Sequence, residues 1–371
     1  MTQAITLYSG LTTSHPSISE NLSSYYPILN RFLILPPEIL SIILTKMGRY
    51  VIKSFVRLIL TCKDFRIPLL SAVRYVEKLD ICNNKLLGLF TGVKHLNTIN
   101  SSNININLFS KNIWVNLESL IIPGNICYEL YNSGYSESYL NQQPLECVKP
   151  NYFMPNLRTL EIYNTISDED EKININKNAV PNIRFLVIAN CQSLNLDEFG
   201  DLDEIELRYC SGITTEVLNN LRSRKLTLAG DCPMINWLNI DIPSLRSLVV
   251  EDMLIRFGMI NNLKLEELFL YNTRLCVDSL EYLKMSYLSK LEIIGCQQIR
   301  GQPIREILNV GDESFPVLKY LRIERTHNIN ISASSLIDVR IMECSGITVS
   351  EVLYKYVKFW DVEDIEMMML E

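Results

Sequence analysis

A short apolar pattern that recurs along the chain constrains its fold more than any other sequence feature. Each copy has an apolar residue, two further residues, and then a Leu-x-Leu core that ends on a small or polar residue. Residues two apart on a strand face the same side, so both apolar positions of a copy point the same way. One strand cannot bury such a face alone, whereas strands stacked in parallel make a continuous core. The Leu-x-Leu cores of successive copies begin at Leu79, Leu96, Leu120, Leu160, Leu186, Ile205, Leu226, Leu248, Leu268, Leu291, Leu321 and Val339.

The period predicts an α/β solenoid over residues 76–371, with about 12 repeats and parallel strands on its concave face. Successive copies begin 17 to 40 residues apart, and most intervals are close to 20. The longest interval holds an insertion near residues 126–155. This insertion is either a tolerated surface loop or a segment that contacts a partner. Its tyrosines are Tyr128, Tyr131, Tyr135, Tyr139 and Tyr152.

Cysteines close four copies of the pattern, at Cys191, Cys210, Cys296 and Cys344. The chain leaves the strand at this position, where a small side chain that bonds neighbouring backbone groups is favoured. Buried cysteine behaves as a small hydrophobe with a weak donor, so we predict buried structural thiols. There is no C-x-x-C spacing and there are only three histidines, which excludes a zinc finger. We expect neither a metal nor a cofactor.

Two segments that both begin CSGIT refine the repeat type. They start at Cys210 and Cys344 and continue as TEVL and VSEVL. They resemble the cysteine-containing leucine-rich repeats, in which C-x-x-I-T leads into a short helix. The resemblance implies that the Thr caps this helix and that the Val-Leu pair faces the core.

The first 75 residues differ from the repeats. Residues 1–30 lack a clear period and are predicted to be a flexible tail. Residues 31–75 hold two apolar segments at helical spacing, LPPEILSIILTKM and FVRLILTCKDF. Pro36 and Pro37 favour a helix start, and Glu38 suits its first turn.

The two helical segments resemble an F-box. The residues that match are Leu35, Pro36, Glu38, Ile39, Leu40, Ile43, Leu44, Leu58, Thr61, Cys62, Lys63 and Phe65. The resemblance implies binding to a Skp-family adaptor, and through it to a cullin. The adaptor-binding residues so implied are Leu35, Pro36, Ile39, Leu40, Ile43, Leu44, Leu58 and Cys62. Alternatively, these helices only cap the open end of the repeats.

F-box proteins with leucine-rich repeats are substrate receptors of cullin-RING ubiquitin ligases, so the resemblance implies a protein without an active site of its own. One alternative is a binding scaffold that does not recruit the adaptor. Another is an effector-style ligase with an appended catalytic-cysteine domain, for which the repeats leave no room. The sequence has no Ser-His-Asp set, phosphate-binding glycine loop or metal cluster.

Residues between and just after the two apolar positions are expected to face the open side of the strands and to bind the substrate. Phe269, Tyr271 and Tyr163 are the expected aromatic anchors. Acidic residues around them favour a partner with a basic segment, and the alternative is an ordinary solvated surface. The expected substrate-binding residues are Glu161, Tyr163, Glu206, Arg208, Glu251, Phe269, Tyr271, Glu292 and Arg322.

Charge and hydropathy exclude two classes of partner. The net charge of −7 argues against binding to nucleic acid. No apolar run approaches the roughly 18 residues of a membrane span, and the first residues show no signal-peptide pattern. We therefore expect a soluble cytoplasmic or nuclear protein.

Overall fold

In a computed structural model of the protein, the residues described are 78–80, 92–98, 111–123, 153–163, 172–175, 180–191, 193–195, 201–220, 222–230, 232, 235, 240–256, 263–276, 285–298 and 308–368. The chain forms two units, residues 1–80 with 85–93 and residues 81–84 with 94–371. Strand β1 (Lys78–Asp80) belongs to the first unit. The predicted tail and the F-box-like segment lie outside the described residues.

The second unit is built on a large parallel sheet in which every strand except the last, β21, holds one copy of the repeated pattern. Neighbouring copies pair in register, so that Leu248 lies between Leu226 and Leu268. The predicted parallel-strand solenoid is thus confirmed. In sheet order, the strands of this unit are β2 (His95–Asn97), β3 (Ser119–Pro123), β4 (Thr159–Tyr163), β6 (Phe185–Ala189), β8 (Asp201–Arg208), β9 (Arg222–Ala229), β10 (Ser247–Glu251), β12 (Glu267–Tyr271), β14 (Lys290–Ile294), β17 (Tyr320–Glu324), β19 (Asp338–Met342) and β21 (Val357–Trp360).

Shorter strands follow many strands of the large sheet and form three further parallel sheets. In the described part of the solenoid, strands therefore both precede and follow many of the turns. The first of these sheets pairs β5 (Lys172–Asn174) with β7 (Ser193–Asn195). The second contains β11 (Leu254–Arg256), β13 (Arg274–Cys276) and β15 (Gln297–Gln298). The third contains β16 (Leu308–Val310), β18 (His327–Ile331), β20 (Ser345–Ser350) and β22 (Glu363–Met368).

The apolar positions of the pattern form the core. On β12, Leu268 and Leu270 are fully buried, whereas Glu267, Phe269 and Tyr271 are only partly covered. The same alternation occurs on β4, β17 and β19. Burial of one such side chain contributes about 1.5–3 kcal/mol. The two apolar side chains of each strand are buried only when the neighbouring repeats cover them, so each repeat is stabilised by its neighbours.

The turn that follows each strand is also as predicted, with Cys191, Cys210, Cys296 and Cys344 buried as free thiols. The sulfur of Cys296 lies 3.4 Å from the carbonyl oxygen of Leu270 and 3.7 Å from that of Ile294. At the equivalent position, the Thr273 hydroxyl lies 3.1 Å from the carbonyl oxygen of Val250. These side chains thus bond backbone acceptors that leave the strand ladder at the turn.

The residue before each turn position adopts a left-handed backbone conformation. Its N–H continues the ladder: that of Asn272 donates to the carbonyl of Ile294, and that of Gly295 to Glu324, both at 2.8 Å. Gly, Asn and Asp adopt this conformation at least cost, and they fill six of the nine described positions. We call the set the arch row: Asn190, Tyr209, Gly230, Asp252, Asn272, Gly295, Arg325, Glu343 and Asp361, with φ from 50° to 76°.

Helices are few in the described residues: α1 (Lys111–Asn116), α2 (Thr215–Asn219) and a 3₁₀-helix (Glu351–Tyr356). The helix predicted after Cys210 is confirmed as α2, where the Thr214 hydroxyl accepts from the Val217 N–H at 3.3 Å. A short helix also follows the second segment, but it is a 3₁₀-helix that begins at Glu351 after strand β20, so the prediction that Thr348 caps it is wrong.

Candidate functional site

The side of the large sheet opposite the buried leucines carries three rows of side chains, which we call the open face. Because the strands pair in register, equivalent side chains on neighbouring strands lie about 4.8 Å apart. The first row holds Thr159, Phe185, Glu204, Lys225, Ser247, Glu267, Lys290, Tyr320 and Asp338. The middle row holds Glu161, Val187, Glu206, Thr227, Val249, Phe269, Glu292, Arg322 and Arg340. The last row holds Tyr163, Ala189, Arg208, Ala229, Glu251, Tyr271, Ile294, Glu324 and Met342.

All the predicted substrate-binding residues lie in the middle and last rows of the open face. Their spread from β4 to β17 makes them one continuous surface rather than a pocket. Two small side chains lie between them in the last row, those of Ala189 and Ala229, and both are buried. The sequence therefore placed these residues together correctly, but it did not show how they contact one another.

Ion pairs organise the part of the open face on β8 to β10. The Arg208 guanidinium bonds the Glu206 carboxylate and lies 3.7 Å from that of Glu251. The hydrogen bond that Arg208 donates to Glu206 raises the pKa of Arg208. Lys225 and Glu204 pair at 2.7 Å in the first row. The acidic groups expected to meet a basic partner are therefore largely neutralised within the chain.

Tyr163 is held by a carboxylate of its own strand. Its hydroxyl donates to Glu161 Oε2 at 3.0 Å. Burial, followed by the charge of Glu161 and this hydrogen bond, raises the pKa of Tyr163 to about 12. Tyr163 is partly buried on the open face, and its role as an aromatic anchor stays a prediction.

Aromatic rings and cations alternate across β12 to β19. The Lys290 ammonium lies 4.7 Å from the centre of the Phe269 ring and 5.2 Å from that of Tyr320. The Arg340 guanidinium lies 5.3 Å from the Tyr320 ring. Phe269 also packs on Tyr271, with ring centres 6.3 Å apart. Phe269 and Tyr271, expected to lack packing partners, are therefore fixed in position by neighbours on the same face.

Glu292 is the carboxylate buried deepest in the open face, with only 7% of its surface exposed. A buried charge is tolerated only when it is paired and hydrogen-bonded. Lys290 lies 3.1 Å from one carboxylate oxygen, and Arg322 lies 4.0 Å from the other. The Tyr271 hydroxyl donates to the second oxygen at 3.4 Å. Burial first, and then Glu292, raises the pKa of Tyr271 to about 12.

The last strands place three cations in the middle row: Arg322, Arg340 and Lys358. Each is paired with an acid. Arg322 bonds Glu324 at 2.7 Å, and Arg340 and Lys358 both contact Asp338, at 2.9 and 3.6 Å. The hydrogen bond from Arg340 lowers the pKa of Asp338. The basic character expected of the last repeats is thus balanced locally.

The arch row extends the open face along one margin, and sequence reasoning missed it. The signal was present, because Asn, Gly and Asp recur just before the turn residues. Three members do not follow that preference: Tyr209, Arg325 and Glu343. All three are exposed, and the Tyr209 ring has 56% of its surface accessible.

The predicted adaptor-binding residues, from Leu35 to Cys62, lie outside the described residues. So do Tyr128 to Tyr152 of the predicted insertion. Of the remainder of that insertion, Phe153 is described and is 49% exposed. The structure therefore places the expected substrate surface but leaves the expected adaptor surface as a prediction.

The described residues offer little for covalent chemistry. Burial raises the pKa of the Cys210 thiol to about 12 and that of Cys296 to about 11, so both are protonated at neutral pH and weakly nucleophilic. No group of three or more potential metal ligands occurs among these residues. No helix in the described part of the chain is long and apolar enough to cross a bilayer. What the arrangement can do is bind a partner across an extended surface.

The sequence matches no protein-family model and no curated protein.

Proposed function

We propose that this chain is the substrate-recognition subunit of a cullin-RING ubiquitin ligase of the Skp-cullin-F-box type. In this proposal residues 31–75 are an F-box that binds a Skp-family adaptor. Residues 76–371 are leucine-rich repeats that hold a protein substrate. The motif LPPEIL followed by TCKDF, placed directly before the repeats, supports the first assignment.

The single observation that carries the binding role is the extended face with fixed side chains. Its aromatic residues are held by cations and carboxylates, as with Lys290 on Phe269 and Glu292 on Tyr271. Side chains already fixed lose little conformational entropy on binding. A long surface of this kind suits a protein partner better than a small ligand, which prefers a concave pocket.

In this role the protein acts by proximity. The F-box would hold the adaptor and cullin at one end of the chain, and the open face would hold the substrate. A lysine of the bound substrate is then kept near the charged ubiquitin-conjugating enzyme, which raises its effective concentration. No bond is made or broken by this chain in that scheme.

The adaptor assignment is tested by co-purification of the full chain with a Skp-family adaptor. We expect Leu35→Ala with Pro36→Ala to abolish the pull-down, because lost apolar contacts of about 1.5–3 kcal/mol each correspond to tenfold or more in affinity. The matched control is Phe269→Ala with Tyr271→Ala, which should bind the adaptor normally. Undiminished capture by the Leu35/Pro36 variant would refute the F-box assignment.

A second candidate is a leucine-rich-repeat scaffold that binds proteins but recruits no adaptor. It is favoured by the stretch GRYVIKSF, which makes the gap between the two halves of the F-box motif longer than usual. The same pull-down separates the two functions. A wild-type chain that is folded and fails to retain the adaptor supports the scaffold.

The substrate assignment is tested separately on the open face. Phe269→Ala with Tyr271→Ala should lower capture of an identified substrate at least tenfold, because aromatic anchors dominate such interfaces. Tyr271→Phe is the control, since it keeps the ring and loses only the hydroxyl that meets Glu292. Unchanged capture by the double variant would move the site to the insertion at Tyr128 to Tyr152.

A further inference from the structure

Of the three arch-row residues that are not Gly, Asn or Asp, Tyr209 is the aromatic one. Tyr209 has a φ of 53°, a conformation that side chains other than those of Gly, Asn and Asp adopt at a cost. Neighbouring positions of the row follow the preference, with Asn190, Gly230 and Asp252. Such strain persists only where the surroundings impose it, and it concentrates at functional sites.

The glycine on the next repeat accommodates the Tyr209 ring. A Cβ atom on Gly230 would fall 2.3 Å from Cδ1 and 2.6 Å from Cε1 of that ring. The ring therefore lies directly over the Gly230 backbone, and no larger residue fits beneath it. Yet 56% of the Tyr209 surface is exposed, so this placement buries little apolar area. The outer part of the ring is presented to solvent.

Asp252 is the next member of the arch row after Gly230, so its backbone lies about one strand spacing of 4.8 Å from the backbone that the ring covers. Its side chain is exposed and contacts no cation among the described residues. By contrast, the carboxylate of the neighbouring Glu251 lies 3.7 Å from the Arg208 guanidinium. Asp252 is thus a carboxylate next to the backbone under the ring that has no cation partner among the described residues.

We propose that Tyr209 and Asp252 form a binding site for a cationic side chain, arginine or lysine, in an extended segment of the protein partner. A cation over a tyrosine ring is attracted to its electron-rich face, and the carboxylate supplies the opposite charge. The inference deepens the proposed function, since it rests on the solenoid holding a protein substrate. It adds a basic residue to what that substrate must carry.

The first test separates a binding role from a packing role by measuring stability. Asn is at ease in a left-handed backbone, so Tyr209→Asn should leave the thermal midpoint unchanged or raise it by about 2 °C. If the ring served only to pack on Gly230, the midpoint would fall instead. A fall of more than about 2 °C would overturn the proposal. Tyr209→Phe, which keeps the ring, is the matched control.

The second test uses a random linear peptide library selected against the full chain without adaptor. We expect the enriched peptides to contain arginine or lysine, and their affinity to fall about tenfold in Tyr209→Asn and about threefold or more in Asp252→Asn. Tyr209→Phe should bind them as the wild type does. Peptides without basic residues, peptides that bind Tyr209→Asn equally well, or no enrichment would each refute the site. Because no adaptor is present, failure of the F-box assignment leaves this result unaffected.

Discussion

The pentapeptide Cys-Ser-Gly-Ile-Thr occurs twice in the chain and folds in two ways. After Cys210 it leads into helix α2, and Thr214 caps that helix. After Cys344 the next four residues of the pentapeptide already belong to strand β20, and Thr348 lies within the strand. Both thiols are buried at the turn, so the two segments begin alike. They differ directly after the cysteine, because Ser211 and Gly212 form a turn whereas Ser345 begins the strand.

The difference between the two segments comes from one extra residue and from the strands that lie beside the second segment. Both continue to Glu-Val-Leu, but Val349 is additional in the second, and β-branched residues favour strands. Strand β20 also has β18 on one side and β22 on the other, which pair with its backbone. Each segment still contains a leucine after Glu-Val, Leu218 in the first and Leu353 in the second. Both leucines are fully buried.

Removing the shared leucine anchor tests whether the two segments are equivalent and should have the largest effect. Leu218→Ala and Leu353→Ala should each lower the free energy of unfolding by about 2–5 kcal/mol, because each leaves a cavity. Urea denaturation measures this. Val352→Ala is the control, since that side chain is 56% exposed, and it should change little. A neutral Leu353→Ala would show that the second segment has no such anchor.

The two glycines of the pentapeptide offer a sharper comparison. Gly346 has a φ of 63°, and a Cβ there would lie 2.7 Å from Asn328 Oδ1, whereas Gly212 has no positive φ. We therefore expect Gly346→Ala to destabilise by about 1–2 kcal/mol. Gly212→Ala should stay within about 0.5 kcal/mol of the wild type. Equal losses in thermal denaturation would mean that the backbones do not differ in this way.

The threonines differ in what they bond. Thr214 accepts the Val217 N–H, so Thr214→Ala should cost about 1 kcal/mol by removing a helix cap. Thr348 lies on a strand and caps no helix, so Thr348→Ala should cost less. Hydrogen exchange at the Val217 amide measures the loss of this cap directly. The exchange rate should rise in Thr214→Ala and stay unchanged in Thr348→Ala. Faster exchange there in Thr348→Ala would contradict the assignment.

The thiols differ from these side chains in that their effect is expected only at alkaline pH. Burial raises the pKa of Cys210 to about 12, above an unfolded value of about 8.5. The contribution of this group to stability is thus complete below about pH 8.5 and is lost as the pH rises toward 12. Cys210→Ala should therefore lose less stability than the wild type between about pH 9 and 11. Parallel pH profiles of the denaturation midpoint would refute this.

The repeated Leu-x-Leu pattern was sufficient to predict the large sheet, because burial of two side chains per strand determines its register. Cys296 and Cys344 were predicted as buried turn residues for the same reason. The smaller sheets were not predicted, since strands such as Gln297–Gln298 are too short to show an alternation. The partners of Glu292 were also beyond the sequence, because they depend on which side chains from three strands meet.

The left-handed arches fix the spacing between neighbouring strands of the open face. Every arch amide from Asn190 to Glu343 bonds the next repeat, so this margin of the sheet holds neighbouring strands at the spacing of about 4.8 Å. An extended peptide lying across the strands advances about 3.3 Å per residue, so three of its residues span nearly the same length as two strands. Such a peptide falls into step with every second repeat. The contacts of such a peptide would then have a fixed register on the solenoid, and inserting one residue into the peptide would shift every contact beyond the insertion.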